Sequence, residues 1–117
     1  MSLSALIAAE VASYEDTEWT GQIGGETVTL TSSPLTGADM TFVTRRHPNF
    51  LSSPTFEGMV ELLVRKARTE KGDHAFSVKD KPVLMRFNTD KIAEMFGALF
   101  EGQFDDDDES HEARVKN

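Results

Sequence analysis

Cysteine is absent from the chain, which excludes a disulfide framework, a thiolate zinc site and a cysteine nucleophile together, and is compatible with a reducing compartment. Positive charge is scarce. Twelve Lys and Arg stand against 20 Asp and Glu, and the formal net charge of -8 sets up a field that repels phosphate backbones and anionic lipids. Neither nucleic acid nor a membrane surface is therefore expected as a partner. Long hydrophobic runs are also missing. The longest early apolar stretch, Leu3 to Val11, contains Glu10 and has no basic residue ahead of it, so it is too short to span a bilayer and makes a poor signal peptide. The expected location is the cytoplasm.

The chain also lacks the short motifs that carry chemistry. No G-x-S-x-G, P-loop or G-x-G-x-x-G occurs. His47, His74 and His111 are too far apart to form a helical metal site, and zinc needs three or four converging ligands. The glycines from Gly21 to Gly25 read as a hairpin turn, because no helix follows to form a phosphate cradle. No catalytic, cofactor-binding or metal-binding residue is assigned, no cofactor is expected, and the chain reads as a non-enzyme. Much of the negative charge sits in one run, Asp105 to Asp108 with Glu109, which lacks the alternating ligands of a calcium loop and reads as a solvated tail.

What is present fits a small α+β domain. At 117 residues there is room for one modest core. Residues 1–103 are expected to form that single domain, and 104–117, without apolar periodicity to offset the entropy of ordering, a disordered acidic tail. Leu3, Leu6, Ile7, Val11 and Tyr14 recur at helical spacing, so an N-terminal helix is expected to pack its stripe on the domain or to serve as a docking element. Two alternating runs around Gly24-Gly25 predict a hairpin in which Ile23 faces Glu26, Gly21 faces Val28 and Trp19 faces Leu30. The other face carries Thr20, Gln22, Thr27 and Thr29, which predicts a sheet covered by helices on one side only.

Three further helices are expected. Thr36 with Asp39 resembles a capping box, so one helix starts near Gly37, turns Met40 and Val43 inward and ends on Arg45, Arg46 and His47 before Pro48. Ser53 as N-cap and Pro54 at the first helical position open the longest helix, buried through Phe56, Met59, Val60, Leu63 and Ala67 and ended by Gly72. Asp73 to Pro82 reads as irregular apart from one turn at Val78 to Lys81. Asn88 caps a last helix in which Ile92, Met95, Phe96, Leu99 and Phe100 keep helical spacing without a miss until Gly102.

Eight Phe and five Met are many for so short a chain, and an apolar supply beyond what one core buries marks an interaction surface. Met95, Phe96 and Phe100 are therefore candidate protein-binding residues, although their spacing also suits a core. Arg45 and Arg46 complete the candidate set. They, with Arg65, Lys66, Arg68 and Lys71, form a basic face if the two helices lie together, yet helix-dipole complementarity already accounts for them and no aromatic stacking motif is interleaved. A homo-oligomer is a further possible partner arrangement.

The order of elements, together with Leu35-Thr36 at a helix start, the segment Ala67 to Phe76, Asp80, and Asp90 with Ile92, resembles the tail assembly chaperones of long-tailed bacteriophages and related prophages. The resemblance covers roughly residues 17 to 101. It departs from the family in the long Leu51 to Thr55 approach and in the Arg45-Arg46-His47 cluster. It implies a non-catalytic protein of the host cytoplasm that binds the tape-measure protein, recruits tail-tube subunits and is absent from the finished particle. It further implies a second, longer form made by ribosomal slippage near the end of the gene, which one choice among the synonymous codons for Val115-Lys116-Asn117 allows and others abolish. The alternatives are a structural or accessory tail protein retained in the virion, and a host or prophage adaptor.

Overall fold

The computed structural model describes residues 2–101, so the acidic run, the 103/104 boundary and Gly102 lie outside the described residues. The fold is α+β. The elements in chain order are α1 (Leu3–Ala12), β1 (Thr17–Ile23), β2 (Glu26–Ser32), α2 (Gly37–Arg46), α3 (Phe56–Lys66), β3 (Arg68–Thr69), a 3-10 turn at Val78–Asp80, α4 (Lys81–Leu84), α5 (Thr89–Phe96) and a π-helical turn at Gly97–Glu101.

β1 and β2 pair antiparallel in the expected register, with Ile23 opposite Glu26, Gly21 opposite Val28 and Trp19 opposite Leu30. The two-residue turn between them needs positive φ at both positions, and Gly24 (φ 61) and Gly25 (φ 84) supply it. Trp19 and Leu30 are buried, while Thr20, Gln22 and Thr27 on the other face are exposed. The sheet is therefore covered on one side. Its third strand was not expected from the sequence: β3 lies beside β2, with Thr69 opposite Leu30 and Arg68 opposite Thr31.

α5 and α3 fill the covered side. Ile92, Met95, Phe96, Leu99 and Phe100 are all buried, as their spacing predicts. Asn88 caps α5, its side chain accepting from the Asp90 amide. Trp19 Nε1 donates to Glu94 Oε2 at 2.9 Å, and Lys91 Nζ donates to the Gln22 carbonyl at 2.9 Å, tying α5 to β1. Thr17 Oγ1 donates to the Leu99 carbonyl at 2.8 Å and ties β1 to the widened turn after Phe96. α3 is the central helix: Val60, Glu61, Leu62, Leu63 and Val64 are consecutive and buried.

The structure corrects several boundaries. α3 is capped by Thr55, whose hydroxyl accepts from the Gly58 amide at 3.1 Å, and not by Ser53. It ends at Lys66 and not at Gly72, because Arg68 and Thr69 extend to join the sheet, and Gly72 (φ 91) instead turns the chain back. Phe56, expected in the buried stripe, sits at the open first turn and is 40% exposed. α1 forms over the expected residues, with Ser2 as N-cap, but it contributes nothing to the core: none of its residues is buried. The reason is in its composition. Ala5, Ala8, Ala9 and Ala12 surround the large side chains, so the helix is apolar on most of its circumference and has no single face directed to a core.

Candidate functional site

The five candidate residues separate into two groups. Met95, Phe96 and Phe100 belong to the core, at 0%, 6% and 1% exposure, and Phe96 meets Phe50 and Phe100 edge-on with ring centroids 6.2 Å and 5.2 Å away. They support the domain from inside and present no contact surface; helical periodicity marks burial without saying whether a core or a partner provides it. Arg45 and Arg46 are exposed at the end of α2. Arg46 comes within 3.6 Å of Glu61.

Glu61 is the centre of the site and was missed from sequence. It lies on α3 between four buried apolar residues, with its side chain only 6% exposed. The apolar run Val60 to Val64 leaves no solvent-facing position for a carboxylate in the middle of α3, although Glu57 in its first turn is exposed, and that run is the signal by which Glu61 is recognisable. Lys81, from the start of α4, donates to Glu61 Oε1. Arg46 Nη1 is the second cation, and His47 Nε2 stands 4.0 Å from Oε2. Among the described residues Oε2 itself is buried without a hydrogen-bond partner. A buried ion pair of this kind offsets its desolvation only through good geometry and full hydrogen bonding.

Three adjoining hollows run alongside α3, two of them meeting at Glu61 and Lys81. The largest, about 630 Å³, lies between Phe42, Val64, Phe76, Val78 and the Glu61–Lys81 pair. The second, about 450 Å³, shares Glu61 and Lys81 with it and extends to Arg46, His47, Pro82 and Met85. The third, about 130 Å³, shares Val60 and Met85 with the second and is closed by Phe56, Leu84 and Phe87. Together they make a groove with apolar walls and a polar centre, the arrangement that suits an amphipathic segment. Its rim carries large side chains left in solvent, with Phe56 at 40%, Met85 at 43% and Val78 at 69% exposure. Of the described Phe and Met residues, only Phe56 and Met85 are exposed, both at this groove.

A second ion cluster fixes α2 against α3 at one end of the groove. Arg65 Nε donates to Asp39 Oδ1 at 2.8 Å, and Lys66 Nζ lies 2.9 Å from Oδ2. Asp39 also completes the capping box, accepting from the Thr36 amide at 2.9 Å while its own amide donates to Thr36 Oγ1. Burial by itself raises the Asp39 pKa, but the hydrogen bonds from Arg65, Lys66 and Thr36 outweigh it and hold the carboxyl at about 2, below its ordinary 3.8. A depressed carboxylate pKa stabilises the fold above the unfolded value, and the contribution is lost as pH falls from about 4 through about 2. Asp39→Asn is therefore expected to cost about 1–2 kcal/mol at neutral pH, less than the full linkage because Arg65 is partly in solvent. The gap between variant and wild type in denaturant melts narrows from pH 5 towards about pH 2.5; a gap that stays constant with pH contradicts the ionic account.

Among the described residues no group of three or more His, Cys, Asp or Glu side chains is placed to hold a metal ion. His74 is exposed, and Asp80 accepts from the Ser77 amide at 2.7 Å as part of a helix cap. Among the described residues no helix is long and apolar enough to cross a membrane. No family model, curated protein or solved structure matches the chain.

Proposed function

We propose that the chain is a non-catalytic tail assembly chaperone of a long-tailed bacteriophage or prophage, acting in the host cytoplasm, that binds an apolar helical segment of the tape-measure protein and recruits tail-tube subunits. The observation that carries this reading is the groove along α3, whose exposed apolar rim and polar centre suit a client helix better than a small substrate. The resemblance supplies the identity of the client. In support, the Leu35-Thr36 helix start coincides with a working capping box, Ala67 to Phe76 is a turned segment reversing at Gly72, and Asp90 with Ile92 opens a buried final helix.

Co-expression with the tape-measure protein of the same genome is the test. The expected result is a soluble complex of the two proteins during assembly, and no trace of this chain in purified particles. Persistence of the chain in particles favours a structural tail protein instead. Failure to bind either the tape-measure or the tube protein favours an adaptor outside tail assembly.

A further inference from the structure

We infer that β1 is an interface strand: it pairs antiparallel with β1 of a second copy about a two-fold axis at Thr20, joining the two sheets edge to edge. In a hairpin closed by a two-residue turn the flanking pair, Ile23 with Glu26, exchanges both backbone bonds, and bonded and non-bonded pairs then alternate along the strands. Thr17, Trp19, Gly21 and Ile23 therefore direct their amides and carbonyls to β2, while those of Glu18, Thr20 and Gln22 point away from it. Two contacts fit this phase. The Ser32 carbonyl, opposite Thr17, faces β1 and accepts from Thr17 Oγ1 at 3.2 Å, and the Gln22 carbonyl, on the open edge, accepts from Lys91 Nζ at 2.9 Å. Among the described residues the Lys91 bond is the only one that these outward groups make.

An open edge of seven residues is a template for another strand unless the fold blunts it. β1 has no proline and no bulge, and its one charged side chain, Glu18, is exposed. Lys91 guards one end, but it comes from the covered face, its Nζ 5.7 Å from the Trp19 ring centroid, and a carbonyl oxygen accepts two bonds. The register selects a second copy as the occupant. With Thr20 on the axis, Thr20 faces Thr20 and Glu18 faces Gln22, so each outward amide meets a carbonyl and no like charges meet. The two Glu18 residues stand about 13 Å apart along the strand, and each instead comes beside Lys91 of the other copy at the Gln22 carbonyl. On the covered face Trp19 faces Gly21 of the other copy, where a side chain would meet an indole: a Cβ at Gly21 would stand 2.3 Å from Trp19 Cζ2. The two-fold repeats each of these pairings. None of the residues lining the α3 groove lies on β1, so self-association and client binding use separate surfaces and are tested separately.

Thr20 is exposed and its side chain touches only the Thr29 hydroxyl, at 3.0 Å, so Thr20→Lys and Thr20→Glu keep the backbone bonds of the hairpin and lose the same small contact. Sedimentation equilibrium of the full-length chains is the test, with circular dichroism expected to stay that of the wild type. The wild type is expected to dimerise. Either variant alone, with like charges meeting on the axis, associates at least about tenfold more weakly, and mixing the two variants restores the dimer. A wild-type chain that stays monomeric at high concentration overturns the inference and leaves the edge to an extended segment of another protein. Dimers unchanged by both substitutions, or weakened by both without recovery on mixing, also overturn it, because neither result is compatible with Thr20 on a two-fold axis.

Discussion

Phe96→Ala is expected to destabilise the chain by about 3–5 kcal/mol, the range for removing a large aromatic from a packed interior. Phe96 is 6% exposed and lies between Phe50 and Phe100 in edge-on contacts. The truncation therefore removes burial, leaves a void that the flanking rings cannot close, and forfeits two aromatic pairings that each contribute roughly 0.5–1.5 kcal/mol beyond area. For a domain of this size the loss is a large share of a total stability of about 5–15 kcal/mol. A melting temperature lower by on the order of 20 °C follows. The measurement also separates the two roles the sequence left open for this residue. An interface role predicts an unchanged melt with weakened partner binding, so an unchanged melt contradicts its place in the core.

The second large effect is at Gly58. By helix propensity alone, a side chain in place of this glycine inside α3 should stabilise, by about 0.8–1 kcal/mol in the case of alanine. Space decides against it. A Cβ at Gly58 would stand 2.3 Å from Cδ1 and 2.5 Å from Cε1 of Phe50, and 3.3 Å from the capping hydroxyl of Thr55. Phe50 is 1% exposed and is held by Phe96, so its ring has nowhere to go. Overpacking of this kind costs about 1–3 kcal/mol and occasionally more, and Gly58→Val, with two further carbons, is expected near 3 kcal/mol. Combining it with Phe50→Ala should cost less than the sum of the two single changes by at least about 1 kcal/mol, since the second change removes the clash. Strict additivity in denaturant melts contradicts this account.

How far the sequence alone reaches differs from element to element for physical reasons. The hairpin register is legible because a Gly-Gly turn and strict alternation admit only one pairing that puts Trp19, Val28 and Leu30 on a common face. The capping box at Thr36 and Asp39 and the buried face of α5 are legible because both depend on residues three or four apart. The start of α3 is not, since Ser53-Pro54 and Thr55 both satisfy the local rules and only the packing of Phe50 under Gly58 selects the later one. β3 is too short, at two residues, to carry a periodic signal; β2 alone creates it. The site is the least legible part. Lys81 reaches Glu61 across 20 residues and Arg65 reaches Asp39 across 26, and no local pattern foretells either pair. α1 shows the reverse failure: its helical spacing is visible, but spacing cannot say whether the core buries the stripe, and none of its residues is buried.

The groove along α3 as a binding site for a client helix is tested most directly by isothermal titration of the full chain with the apolar helical segments of the tape-measure protein, for wild type and for Phe56→Asp. Phe56 is 40% exposed at the groove's closed end and contributes little to the core, so the variant's circular dichroism and thermal melt should match the wild type. Saturable binding by the wild type with at least about tenfold weaker binding by Phe56→Asp is the predicted result. Equal affinity in the two proteins, or no binding by either, contradicts it.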